Sequence, residues 1–237
     1  MISIERLSDV FVDVADTLVD DFDLIDFLHN LTDHAAAVSG ADAVGLVLAD
    51  HRGALRFMAA SNESGKALEL FQLQASEGPC LDCFRDNRPV VNADLGHAGD
   101  RWPQFAPRAL AAGFQSVHAF PMRLRDRVIG ALNLFGSGAT RFEPSEVRLV
   151  QALADVATIA ILQERAITQA EQLSDQLQGA LNSRIVIEQA KGAIAQVEGC
   201  TIDEAFDRLR DTARKSRRRL VDVAHEVLTE GRADQPG

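Results

Sequence analysis

Two groups of residues in this 237-residue chain could do chemistry. One is Cys80-Leu81-Asp82-Cys83, two thiols at the spacing used by redox dithiols and by half of a zinc site. The other is "ARKSRRRL", residues 213–220, where five of the six positions from Arg214 to Arg219 are cationic and only Ser216 intervenes. A structural zinc site needs a second thiol pair or a histidine pair. The six histidines, at 29, 34, 51, 97, 118 and 225, supply none at ligand spacing, so no metal is expected. The thiols then read as small buried or loop cysteines, or as a redox-sensing pair. G-x-S-x-G, P-loop and Gly-rich dinucleotide motifs are absent, and the acidic residues are scattered. The sequence therefore offers no catalytic constellation, and the chain is not expected to be an enzyme.

A polycationic run suits a polyanion, but the chain as a whole is acidic, with a formal net charge of -11. Residues 183–237 hold 10 of the 24 Lys and Arg and 10 of the 35 Asp and Glu, a net of zero, so the entire -11 lies in residues 1–182. An acidic body repels nucleic acid, and contact with it must be focused on the basic cluster. The same run also fits a solvated helix end, because cations near a helix C-terminus are stabilising by themselves. The hydrophobic fraction of 46% is that of a globular protein, and no run approaches the ~20 apolar residues of a membrane span. The first residues lack a basic n-region, so no signal peptide is expected and the expected location is the cytoplasm. An odd count of three cysteines agrees with a reducing compartment.

These groups need elements to position them. Leu7, Val10, Phe11, Val14 and Leu18, then Leu24, Phe27, Leu28, Leu31, Ala35 and Val38, follow helical spacing. "AVGLVLAD" and "ALRFMAAS" read as strands joined by a turn at Gly53, and "GKALELFQLQ" as a short helix. A helical segment through the cysteines and a short strand over 89–92 follow, then a helix ending near Gly113. "SVHAFPMRL" and "VIGALNLFG" are two more strands, joined by "RDR". Glu143, Pro144 and Ser145 open a helix of about fifty residues. Leu149, Leu153, Val156, Ala160 and Ile167, then Leu173, Leu177 and Leu181, give it an imperfect heptad seam suited to a homodimeric coiled coil, or else to a long helix packed on its own domain. Thr201 to Glu204 is a capping box that starts a second tail helix, with Ile202, Phe206, Leu209 and Ala213 as its apolar stripe. A third runs over 220–230 and stops at Gly231.

Residues 183–228, "SRIVIEQAKGAIAQVEGCTIDEAFDRLRDTARKSRRRLVDVAHEVL", closely resemble the ANTAR domain, a three-helix RNA-binding module of bacterial transcription antiterminators. Arg184, Ile187, Glu188, Ala190, Lys191, Gly192, Ala205, Phe206, Leu209, Arg210, Ala213, Leu220, Val223 and Ala224 carry the likeness. The chain departs from the family at Arg217, where Asn or another small polar residue is common. Upstream, "GPCLDCFRDNRPVVNADL", "RWPQFAPRALAAGFQSVHAFPMRLRDRVIGALNLF" and "ALADVATIAI" resemble a GAF domain, an α+β sensor module.

The resemblance implies an α/β (α+β) GAF domain over 1–167, with a mostly antiparallel sheet flanked by helices. A connecting and dimerising helix over 145–185 would join it to an all-α three-helix ANTAR domain over 174–232. It implies a homodimer that binds tandem hairpin loops in nascent RNA, touches RNA polymerase only indirectly and makes no membrane contact. The expected RNA-binding set is Arg184, Glu188, Lys191, Gly192, Arg210, Arg214, Lys215, Arg217, Arg218 and Arg219. Phosphates would dock on the cations and splayed bases on guanidinium planes. Aromatic stacking is not expected, because the spacing of Phe206 reads as core. The bilin-pocket and N-K-F-D-E cyclic-nucleotide signatures of some GAF domains are absent, so no cofactor is expected and the sensed ligand is open. A DNA-binding regulator is the main alternative, although Asp222, His225 and Glu226 would make an acidic recognition helix. A GAF-type methionine sulfoxide reductase is a lesser one.

Overall fold

The computed structural model describes residue 12, residues 23–138 and residues 141–233. Most of the helix expected before Leu24 lies outside the described residues. Helix α1, Leu24–Ser39, begins where the Asp23 carboxylate accepts the backbone N–H groups of Ile25 at 2.7 Å and Asp26 at 3.2 Å. It buries Phe27, Leu28, Leu31, Ala35 and Val38, the residues its spacing selects. The strands are β1 (Ala43–Ala49), β2 (Leu55–Ala60), β3 (Val90–Asp94), β4 (Ser116–Leu124) and β5 (Arg127–Gly136). Helices α2 (Glu63–Ala75) and α3 (Pro79–Asp86) lie between β2 and β3, and α4 (Phe105–Ala111) precedes β4.

The sheet order is β2-β1-β5-β4-β3, and every neighbouring pair is antiparallel. Both faces are covered, which explains why β1, β4 and β5 read as near-continuous apolar runs rather than alternating ones. Leu46, Leu48, Phe120, Met122, Leu132 and Leu134 pack on one face with α1 and the beginning of the long helix. Val47, Val117, Ala119, Ala131 and Phe135 pack on the other with Leu68, Cys80, Cys83, Trp102 and Phe105. The β4–β5 connection is tighter than "RDR" suggests, because Arg127 already pairs with Leu124 and Arg125 takes φ 56°.

The chain entering the long helix is fastened to the sheet. Asn92 donates from Nδ2 to the Phe142 carbonyl at 3.1 Å, and Phe142 N–H donates back to Asn92 Oδ1 at 2.7 Å. The Phe142 ring stacks on His118, with centroids 4.1 Å apart. Helix α5, Pro144–Glu198, then runs for 55 residues and ends before Gly199 at φ 65°. Helix α6 spans Ile202–Ser216 behind the complete Thr201–Glu204 capping box, and α7 spans Leu220–Ala233. Gly231 does not stop α7 but is carried within its last turn, where a glycine costs only about 1 kcal/mol.

The chain divides into two compact units, Met1–Arg165 and Ala166–Gly237. The second has its own core. Ala190, Leu209, Ala213, Val223 and Ala224 are buried, with Val186, Ile187, Ile194, Leu220, Val227 and Leu228 packed around them. Small alanines at three of those five positions let three helices approach closely while their outer faces stay charged.

Candidate nucleic-acid interface

Every cation selected from the sequence lies in the second unit, on α5, on α6 or in the turn into α7. On α5, Arg184, Glu188 and Lys191 stand four and three residues apart, on one face of a helix. On α6, Phe206, Arg210, Arg214 and Arg217 repeat at steps of four, four and three, and so form another row. Arg217 is the residue that ends α6, and Arg218 and Arg219 lead into α7. Gly192 is exposed, and a Cβ built there would meet nothing within 4 Å, so open space adjoins Lys191.

Ion pairing divides these cations into two sets. Lys191 Nζ sits 3.0 and 2.9 Å from the two Glu188 oxygens, with only 13% of its side chain exposed. Arg210 bonds Asp207 at 2.8 Å, Arg218 bonds Glu226 at 2.6 Å, and Arg219 clasps both Asp222 oxygens at 3.0 Å. The Arg219 contact lowers the Asp222 pKa and raises that of the arginine. By contrast, Arg184, Arg214, Lys215 and Arg217 are exposed, and none has a carboxylate within 4.0 Å among the described residues. Sequence spacing alone cannot separate the two sets, because both are drawn from the same run. In particular, Lys191 is largely covered rather than a free phosphate ligand.

Arg217 accounts for the departure from the family pattern. Its φ of 55° and ψ of 36° are left-handed, the conformation that Asn and Gly adopt at least cost, and its N–H closes the helix end on the carbonyls of Ala213 and Arg214. Phe206 contradicts the expectation from its spacing. It is half-buried and stands outside the apolar core, with Lys191 Nζ 5.3 Å and Arg210 Cζ 5.8 Å from its ring centroid. Ile202, placed on the same stripe, is 46% exposed.

The heptad seam also divides. Leu153 and Ala160 are buried in the first unit's own core at 2% and 1% exposure, and Leu149 and Val156 pack half-buried against it. Those four positions satisfy their own domain, which narrows the exposed seam below what the 3–4 spacing suggests. Ile167, Leu173, Leu177 and Leu181 are exposed at 46%, 56%, 63% and 53%, and Ile185 extends the row.

In the first unit the cysteines are buried and held in the thiol form. Cys80 and Cys83 are fully buried; burial pushes the Cys80 thiol far up and the Cys83 thiol to about 12. Thiols held protonated in an apolar layer are poor nucleophiles and poor metal ligands. Among the described residues no group of three or more His, Cys, Asp and Glu is arranged to hold a metal ion, and no helix is long and apolar enough to cross a membrane. Beside the cysteines lies a feature that sequence reading missed. Glu69 is fully buried; it accepts from Asn133 Nδ2 at 2.8 Å and Gln72 Nε2 at 3.3 Å, while Gln72 Oε1 accepts the Cys80 N–H at 3.0 Å. Gly45 makes room for it, since a Cβ there would come 2.3 Å from Glu69 Oε1. Burial raises the Glu69 pKa to about 8, so the carboxyl is neutral at pH 7. An open groove of about 570 Å³ nearby is lined by Leu55, Leu73, Leu81, Asp82 and Arg101, among others.

Comparison with known proteins agrees with this division. Residues 23–162 match the GAF domain family and residues 175–228 the ANTAR domain family. None of the curated proteins matches the chain. Among solved structures, it is similar to the GAF domain of a phosphoenolpyruvate-protein phosphotransferase from Acinetobacter, at 17% identity and a TM-score of 0.53 over 70% of this chain and 99% of that one. It is likewise similar to a free methionine-R-sulfoxide reductase from Neisseria meningitidis, at 18% identity and 0.54 over 70% and 96%. A phosphotransferase GAF domain from Coxiella burnetii matches at 16% and 0.53 over 70% and 98%. At these identities the likeness is one of fold, and the reductase shows that a GAF fold can be an enzyme. ANTAR domains are RNA-binding antitermination modules and GAF domains are sensor modules, a regulatory rather than catalytic combination. The chain belongs to the GAF family and, with an ANTAR domain following its GAF domain, is a GAF–ANTAR protein.

Proposed function

We propose that the chain is a dimeric, cytoplasmic antitermination regulator whose two ANTAR domains bind the loops of tandem hairpins in nascent RNA under the control of a non-catalytic GAF sensor. Its effect on RNA polymerase is indirect, through the RNA. The observation that carries this reading is the set of four exposed cations on the small unit of an otherwise acidic chain, Arg184, Arg214, Lys215 and Arg217, that have no carboxylate partner among the described residues. Unpaired cations are free to exchange counterions for phosphates, whereas Arg218 and Arg219 are held by α7 carboxylates. Those same carboxylates leave α7 unsuited to a major groove, which weighs against DNA binding. Dimerisation is supported by the exposed row from Ile167 to Ile185, which two copies would cover.

Titration of the full chain with hairpin RNA and with matched duplex DNA, across a range of salt, tests the reading. If each of the four cations neutralises one phosphate, together they contribute a slope of about −3 to log K against log [salt]. Replacing all four by Ala removes most of that contribution and weakens hairpin binding. Unchanged affinity and slope, or a preference for the duplex, refutes the assignment.

A further inference from the structure

We propose that Phe206 is the platform on which one unpaired RNA base stacks when the ANTAR domain engages a hairpin loop, an inference that rests on the RNA-binding reading above. Three observations locate it. Phe206 is large, apolar and half-buried, yet it belongs to none of the apolar packing of the three-helix core, which is formed by Ala190, Leu209, Ala213, Val223 and Ala224 with their neighbours. The ring is held from two helices, by the Lys191 ammonium from α5 at 5.3 Å and by the Arg210 guanidinium from its own helix at 5.8 Å, both within cation–π range. Each of those cations is already neutralised, Lys191 by Glu188 and Arg210 by Asp207. The surroundings of the ring are thus close to electroneutral, while Arg184, Arg214, Lys215 and Arg217 of the same unit have no carboxylate partner among the described residues.

That charge arrangement decides which part of an RNA strand goes where. A phosphate gains nothing from an aromatic face and is repelled by the Glu188 and Asp207 carboxylates beside it. A base has a π face of its own, carries no charge, and gains both stacking area and the neighbouring cations. Arg214 and Arg217 lie on the same helical row, with Arg214 two turns beyond Phe206, roughly 12 Å along the axis. A strand whose phosphates follow Arg214, Lys215 and Arg217 can therefore turn a loop base onto Phe206. The Glu188–Lys191 and Asp207–Arg210 pairs fix the ring's surroundings before RNA arrives, which lowers the ordering cost of binding. They act as positioning residues rather than as phosphate ligands.

The test couples the side chain to the base. Phe206→Leu keeps apolar volume and loses the π face, while Phe206→Tyr keeps both. A bound hairpin is compared with versions in which each loop nucleotide in turn is made abasic. Phe206→Leu should weaken binding of the intact hairpin roughly tenfold, within a range of about 5- to 150-fold, with an unchanged salt slope, and Phe206→Tyr should bind like the parent. On RNA abasic at one particular loop position the Leu variant and the parent should bind equally. Circular dichroism melting of the variants shows whether the unit is folded. A Leu penalty that is the same on every abasic RNA, or absent from the intact one, overturns the proposal while leaving the RNA-binding assignment standing. A parent chain that binds no hairpin overturns both.

Discussion

Replacing Glu69 by Gln should stabilise the GAF domain, and should do so by an amount that depends on pH in one predictable way. The side chain is fully buried, and its partners are two amides, with no cation within 4.0 Å among the described residues. Its folded pKa is about 8 against an ordinary value of 4.5, chiefly because burial disfavours the charged form. Below pH 4.5 the carboxyl is protonated in both folded and unfolded chains and pH has no leverage on it. Between 4.5 and 8 the folded protein keeps a proton that the unfolded chain has released. Stability therefore falls by about 1.4 kcal/mol per pH unit across that window, then levels off above 8, where both states are ionised. At pH 7 the accumulated cost is about 3 kcal/mol. Gln has the shape of the protonated acid and never ionises, and like that acid it keeps an accepting oxygen for the Asn133 and Gln72 amides, whose N–H groups reach Glu69 at 2.8 and 3.3 Å. The measurement is urea unfolding of parent and Glu69→Gln chains from pH 5 to 8.5, followed by Trp102 emission. Trp102 is the one tryptophan of the chain and lies in the same packed layer as Leu68 and the cysteines. The difference in unfolding free energy should grow with pH, close to zero near 4.5 and about 3 kcal/mol at 7. A difference that is flat with pH, or a Gln variant less stable than the parent at pH 7, refutes the account of Glu69 as a neutral buried acid.

Two further outcomes follow from the tail. The double variant Ile167→Glu and Leu177→Glu places charges at two exposed apolar positions of α5 and should give monomers by light scattering; a chain that stays dimeric puts the seam elsewhere. Arg217→Gly relieves a left-handed residue and should raise the unfolding free energy of the ANTAR domain by about 1 kcal/mol while weakening hairpin binding by removing an unpaired cation. A variant that loses stability, or binds RNA as before, contradicts one half of that trade.

How far the fold could be read from sequence depends on how locally each element is determined. The capping box at Thr201 and Glu204, the Pro144 start of α5 and the apolar runs of β1, β4 and β5 involve only neighbouring residues, and they stand where the spacing puts them. The dimension spacing cannot supply is which partner covers an apolar residue. Leu153 and Leu177 obey the same 3–4 rule on the same helix, yet one is buried against α1 and the sheet and the other is 63% exposed. Glu69 was invisible for the converse reason. A glutamate on an amphipathic helix reads as solvent-facing, and only the vacancy at Gly45, on a strand 24 residues earlier, makes an interior place for it.

The basic run shows the same limit in electrostatic form. Composition gives Arg214, Lys215, Arg217, Arg218 and Arg219 equal weight, but carboxylates on α7 engage two of them and leave three, and Glu188 removes Lys191 from the free set. Surface ion pairs of this kind are each worth less than about 1 kcal/mol in stability, so their consequence is not to hold the fold. They set the charge pattern of the surface, with free cations at the α6 end and a neutral aromatic spot between Glu188 and Asp207. A uniformly charged surface would bind any strand with comparable strength. A surface that separates phosphate docking from base stacking requires the unpaired bases that a hairpin loop presents and a continuous duplex does not.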